Sequence, residues 1–102
     1  IMNLFNETVG IDASVEQEWL AWATTAYIPA VLNTQLFTGY KMYKVLHDSE
    51  DGSISYSIQF FSSSLDNVVK FLEVFAPQLV ERQRQMFNHK HVAFRTLLEE
   101  VK

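Results

Sequence analysis

The sequence predicts an α+β fold of two layers: a four-stranded antiparallel sheet with two helices packed on one face. Three observations predict it. Residues 54–61 alternate apolar and polar, and a polar turn joins them to an aromatic run at 37–46, the pattern of a hairpin. Two stretches, one around Trp19 and Trp22 and one from Leu65 to Phe87, repeat their apolar residues at the helical period. Further strand-like runs open and close the chain, so the elements follow the order β-α-β-β-α-β.

Residues 2–11 read as the first strand, with Phe5, Val9 and Ile11 on one face, interrupted by Glu7, and Leu4, Asn6 and Thr8 on the other. Ser14-Val15-Glu16-Gln17 fits a capping box, and Glu16 and Glu18 suit the positive end of the helix dipole. Val15, Trp19, Trp22, Ala23 and Ala26 share one stripe of that helix. Pro29 sets a boundary, or a new helical start, near Ile28.

In the strand Phe37 to Leu46, Phe37, Tyr43 and Val45 fall on one face and Tyr40, Met42 and Leu46 on the other. The turn at 48–53 ends near Gly52, which is free to take positive φ. Ile54, Tyr56, Ile58 and Phe60 then face one way. Ser62–Ser64 caps a second helix, in which Leu65, Val68, Val69, Leu72, Phe75, Ala76, Leu79, Met86 and Phe87 form an arc broken only by Gln83. Pro77 removes a hydrogen bond and predicts a kink or break, while Asn88 suits a left-handed C-cap. Residues 91–98 read as the last strand. This order is the split βαβ pattern of a ferredoxin-like fold.

At 102 residues, with 48% hydrophobic and 20% charged, the chain is expected to form one domain over 1–102. Eight basic and twelve acidic residues give a net charge of −4, which argues against nucleic acid or an anionic membrane as partner. Zero cysteines exclude disulfides, thiolate zinc sites, iron–sulfur clusters and a cysteine nucleophile. No apolar run is long enough to span a membrane and nothing resembles a secretory signal, so a cytoplasmic protein is expected.

Motifs for chemistry are sparse. No serine sits in G-x-S-x-G, and the three glycines form no phosphate loop. His89 and His91 lie two apart on a strand, yet they lack a third ligand, so neither metal nor cofactor is expected. His47 reads as a solvated hairpin residue, and the pairs Glu50/Asp51 and Glu99/Glu100 as solvated charge. Trp19 and Trp22 read as core rather than as a stacking platform.

The face of the sheet without helices is the more informative surface. If Phe5, Val9, Ile54, Ile58, Phe60, Val92 and Phe94 point to the helices, then Asn6, Thr8, Ser57, Gln59 and Arg95 point away, beside Leu4, Ala93 and Leu97. Such a mixed face suits a dimer interface or a small cavity. Asn6, Tyr27, Gln59 and Arg95 are the candidate ligand contacts.

W-L-A-W at 19–22, I-P at 28–29, F-T-G-Y at 37–40, F-A-P at 75–77 and V-A-F-R-T-L-L-E-E-V at 92–101 together resemble a small bacterial domain-of-unknown-function family. That family is similar to the dimeric α/β-barrel superfamily, where two ferredoxin-like subunits pack sheet to sheet. The resemblance implies a homodimer joined through the sheet face. Relatives often carry histidine immediately before the I-P, where this chain has Tyr27.

Two functions follow as expectations. One is a homodimeric module with a structural or small-molecule-binding role, taking a small apolar or aromatic ligand. The other is a cofactor-independent monooxygenase- or isomerase-like enzyme acting on a small aromatic or polyketide-like substrate in the barrel lumen. The first is favoured, because no acid, base or nucleophile stands out.

Overall fold

The structure is a computed structural model that describes residues 1–46 and 50–102. His47 and the start of the predicted turn, Asp48 and Ser49, lie outside the described residues. Strand β1 (Asn3–Ile11) passes through a 3-10 turn into α1 (Glu16–Trp22), a π turn (Ala23–Tyr27) and α2 (Ile28–Leu32). The hairpin strands β2 (Gly39–Lys44) and β3 (Ile54–Ser62) follow, then α3 (Leu65–Lys70), a second π turn (Phe71–Phe75), α4 (Ala76–Phe87) and β4 (His91–Glu99). The sheet runs β2-β3-β1-β4 with every neighbouring pair antiparallel. This is the ferredoxin-like α+β fold.

Alternate residues of β1 and β3 enter the core, because a strand presents opposite faces at successive positions. From β1 these are Asn3, Phe5, Glu7, Val9 and Ile11, and from β3 Tyr56, Ile58, Phe60 and Ser62. Trp19, Trp22, Val31, Val68, Phe71 and Phe87 meet them from the helices. Phe5, Phe37, Phe60 and Phe71 pack as one aromatic cluster, with ring centroids 5.2 to 6.4 Å apart. Trp19 and Trp22 are core, as expected, and Gly52 takes φ +75°.

Each proline falls in the first turn after a π turn, Pro29 in α2 and Pro77 in α4. Proline cannot donate to the carbonyl four residues back, and the wider turn takes up the resulting slack. The kink expected at Pro77 thus takes the form of a π turn at Phe71–Phe75. Gln83, the polar residue within the predicted arc, is buried along with Val68, Ala76 and Phe87, whereas Leu65, Val69 and Met86 of that arc are exposed. The Gln83 Oε1 accepts from Trp19 Nε1 at 3.0 Å, joining the two helical segments within the core.

Three local expectations are corrected. The first cap is Asp12 rather than Ser14: its Oδ1 accepts from the Ser14 backbone N–H at 2.9 Å and from its hydroxyl at 2.7 Å. A carboxylate is the stronger acceptor, and a 3-10 turn intervenes before α1. Asn88 is extended, and His89 takes the left-handed conformation with φ +66°. Phe37 does not share a strand face with Tyr43, because it turns into the core before β2 begins.

The fourth correction concerns β4 and bears on function. Directly opposed residues of an antiparallel pair share a face. Arg95 opposes Glu7, Ala93 opposes Val9 and Leu97 opposes Phe5, so Arg95, Ala93 and Leu97 lie on the helix side. Val92 opposes Gly10 and Phe94 opposes Thr8, which places both on the open face. Both alternating sets of β4 contain apolar residues, so hydrophobicity alone leaves its phase open, and a slip of one residue exchanges the faces.

Candidate functional site

Glu7 is a carboxylate placed between Phe5 and Val9 on the helix-facing side of a central strand, and only 1% of its side chain is exposed. Its register neighbours are Ile58 on β3 and Arg95 on β4. Arg95 Nη2 stands 2.7 Å from Glu7 Oε2, with the arginine side chain 31% exposed at the sheet edge. The contact neutralises charge but is not aligned as a hydrogen bond. Both Glu7 oxygens therefore lack a hydrogen-bond partner, and so does buried Trp22 Nε1.

The π turn supplies the other side of the site. Residues five apart on an α-helix diverge by about 140°, whereas a π turn brings them nearly into line. Trp22 and Tyr27 bracket this turn, and their rings stack with centroids 5.2 Å apart and planes 23° from parallel. Phe87 meets Trp22 edge-on at 5.8 Å, and Phe60 meets Tyr27 edge-on at 6.2 Å. Burial, and then the Glu7 carboxylate, hold the Tyr27 phenol well above its ordinary pKa, with Arg95 working against them. Tyr27 reaches toward Glu7 without closing a well-formed hydrogen bond. The result is an aromatic-walled layer whose polar atoms are charge-balanced and incompletely hydrogen-bonded.

The opposite face of the sheet has a different character. Ser57 Oγ donates to Asn6 Oδ1 at 2.7 Å, and Asn6 Nδ2 donates to Thr8 Oγ1 at 3.2 Å, a short polar chain across β3 and β1. Gln59 opposes Asn6 from β3, and Thr96 opposes it from β4. Around this centre lie Leu4, Phe61, Tyr43, Val92, Phe94 and Leu98, with Val92 58% and Phe94 66% exposed.

The four candidate ligand contacts thus separate. Asn6 and Gln59 lie on the open face, while Tyr27 and Arg95 lie behind it with Glu7. Glu7 and Trp22 were not among the candidates, although a lone carboxylate interrupting an apolar strand face is visible in the sequence. His91 Nδ1 lies 2.9 Å from the Phe87 carbonyl, and His89 is exposed in the preceding turn. Among the described residues, no three His, Asp or Glu side chains gather as metal ligands, and no helix is long and apolar enough to cross a membrane.

Comparison with solved structures finds the same fold at low identity. An ethyl tert-butyl ether degradation (EthD) family protein from Bacillus halodurans superposes with a TM-score of 0.70 at 8% identity, covering 99% of this chain and 100% of that one. SnoaB, a cofactor-independent oxygenase from Streptomyces nogalater, gives 0.66 at 11% identity, over 99% and 94%. A dimeric ferredoxin-like protein of unknown function from Thermobifida fusca gives 0.59 at 11%, over 95% and 92%. No curated protein matches the chain. Residues 2–101 match the domain of unknown function DUF4286, and the chain belongs to that family.

Proposed function

We propose that this chain is a small-molecule-binding module that works as a homodimer, with two sheets packed face to face and a ligand held in each subunit between sheet and helices. One observation carries the binding reading: two oxygens of buried Glu7 and the buried indole N–H of Trp22 have no hydrogen-bond partner. Most buried polar groups in native proteins are hydrogen-bonded, since each unmatched group costs about 1–3 kcal/mol. A ligand with polar groups of its own would match these. The aromatic walls suit a small apolar or aromatic body.

The homodimer reading rests on the open face. Phe94, Val92, Leu98 and Tyr43 are exposed there together, around a polar centre. A two-fold axis would let the same face cover itself. An oxygenase- or isomerase-like reaction in the lumen between the sheets would find Asn6, Ser57 and Gln59 there, with Tyr27 and Arg95 behind the sheet, so binding is the reading adopted.

The test is a screen of small aromatic fragments against ¹⁵N-labelled protein, read at the Trp22 indole N–H. Fragments that enter the layer shift that resonance. If every binder shifts surface amides alone, the binding reading fails.

A further inference from the structure

We propose that the Glu7–Arg95 pair fixes the phase of β4 and thereby decides that the open face of the sheet carries Val92, Phe94 and Leu98. The lock works with or without a ligand behind the sheet.

The observed register puts His91, Ala93, Arg95, Leu97 and Glu99 on the helix side and Val92, Phe94, Thr96 and Leu98 on the open face. The helix side thus receives one large apolar residue from β4, Leu97, and the open face receives three. Val92 is 58% exposed, Phe94 66% and Leu98 43%. Hydrophobicity leaves the phase open and by size leans the other way, since a slip of one residue exchanges the faces. In the slip that sets Phe94 opposite Val9, Leu98 would oppose Phe5 and Val92 would oppose Ile11, an apolar match at each position.

Glu7 is the residue that this slip cannot accommodate. It would oppose Thr96, which carries no charge, and Arg95 would turn to the open face. A carboxylate that is only 1% exposed would then stand in the core without a counter-charge, among the costliest arrangements a protein can hold. In the observed register Arg95 opposes Glu7 directly, with Nη2 2.7 Å from Oε2. β4 is an edge strand, so β1 is the one neighbour in the sheet against which its register can be set. One buried polar or charged contact among apolar neighbours can choose between two packings of similar energy. The apolar set exposed on the open face is the consequence of that choice.

The turn before β4 is also tied, because the Lys90 carbonyl accepts from Asp12 N–H at 3.0 Å and Lys90 N–H donates to the Phe87 carbonyl at 2.9 Å. Moving the charge separates the two influences. Arg95→Thr combined with Thr96→Arg keeps the composition and shifts the arginine by one position. The register is read from NOEs between Hα protons of opposed residues. The pairs Phe5–Leu97 and Val9–Ala93 alternate with hydrogen-bonded ones such as Met2–Glu100, so their Hα protons are close in wild type.

The exchange variant is expected to join Phe5 to Leu98 and Val9 to Phe94, a shift of one residue. Glu7→Leu combined with Arg95→Met, which strands no charge, is expected to show these slipped contacts, alone or beside the wild-type ones. Arg95→Lys keeps the charge and should show the wild-type contacts alone. If the exchange variant folds and keeps the wild-type contacts, the tie at Lys90 sets the phase and the proposal is overturned. If it does not fold, the apolar double variant decides: slipped contacts support the lock, and wild-type contacts alone overturn it.

Discussion

Replacing Arg95 with methionine removes the counter-charge of Glu7 while keeping an apolar stem of similar length against the sheet edge. Glu7 is 1% exposed and meets Arg95 at 2.7 Å, so the variant strands a carboxylate inside the core. Breaking a buried pair from one side costs about 3–5 kcal/mol. The arginine is 31% exposed and water reaches it, so about 3 kcal/mol is the appropriate expectation. In a domain of this size that lowers the melting temperature by roughly 12–24 °C. Urea denaturation followed by the fluorescence of the buried Trp19 and Trp22 measures the loss, at one fixed protein concentration. Glu7→Leu combined with Arg95→Met removes the stranded charge and should recover most of the stability. A loss below about 1 kcal/mol in the single variant, against the 3–5 expected of a broken buried pair, would refute the reasoning. So would a double variant as unstable as the single one.

Gln83→Leu should destabilise by about 1–3 kcal/mol although it makes the core more apolar, because it strands the Trp19 indole N–H; a more stable variant in urea would contradict this. Phe71→Ala, at the centre of the aromatic cluster, should cost about 3–5 kcal/mol in the same assay. The Tyr56 hydroxyl donates to Glu16, and burial, followed by that carboxylate, pushes its phenol up to about 12. A raised folded-state value favours the neutral phenol, so its contribution is intact below the unfolded value near 10 and is lost as pH rises through about 12. Thermal melts between pH 9 and 12 should show this loss, and Tyr56→Phe should reduce it, the remainder coming from Tyr27, whose phenol is also raised.

The sheet was legible in the sequence because strand alternation is local: Phe5, Val9 and Ile11, like Ile54 to Phe60, enter the core where their pattern places them. The last strand was not, since Val92, Phe94 and Leu98 rival Ala93 and Leu97 as a core-facing set and only pairing with β1 chooses between them. The helices were legible in part: Val68, Ala76 and Phe87 are buried as the arc predicts and Gln83 within it is buried too, whereas Leu65, Val69 and Met86 are exposed and the core residue Phe71 lay outside the arc. Across the first π turn a constant 100° per residue no longer applies, which is why Trp22 meets Tyr27. Glu7 was visible only as an irregularity on an apolar face. Its significance needs the long-range register that brings Arg95 opposite it and the helical turn that brings Tyr27 near it.

Assembly through the open sheet face is the central claim, and sedimentation velocity at micromolar concentration tests it most directly. Wild type should sediment as a dimer, and Phe94→Glu, which puts a charge on the open face, should sediment as a monomer. Leu97→Glu, on the helix side of the same strand, should remain dimeric. A monomeric wild type, or a dimer that survives Phe94→Glu and is broken by Leu97→Glu, would contradict the account.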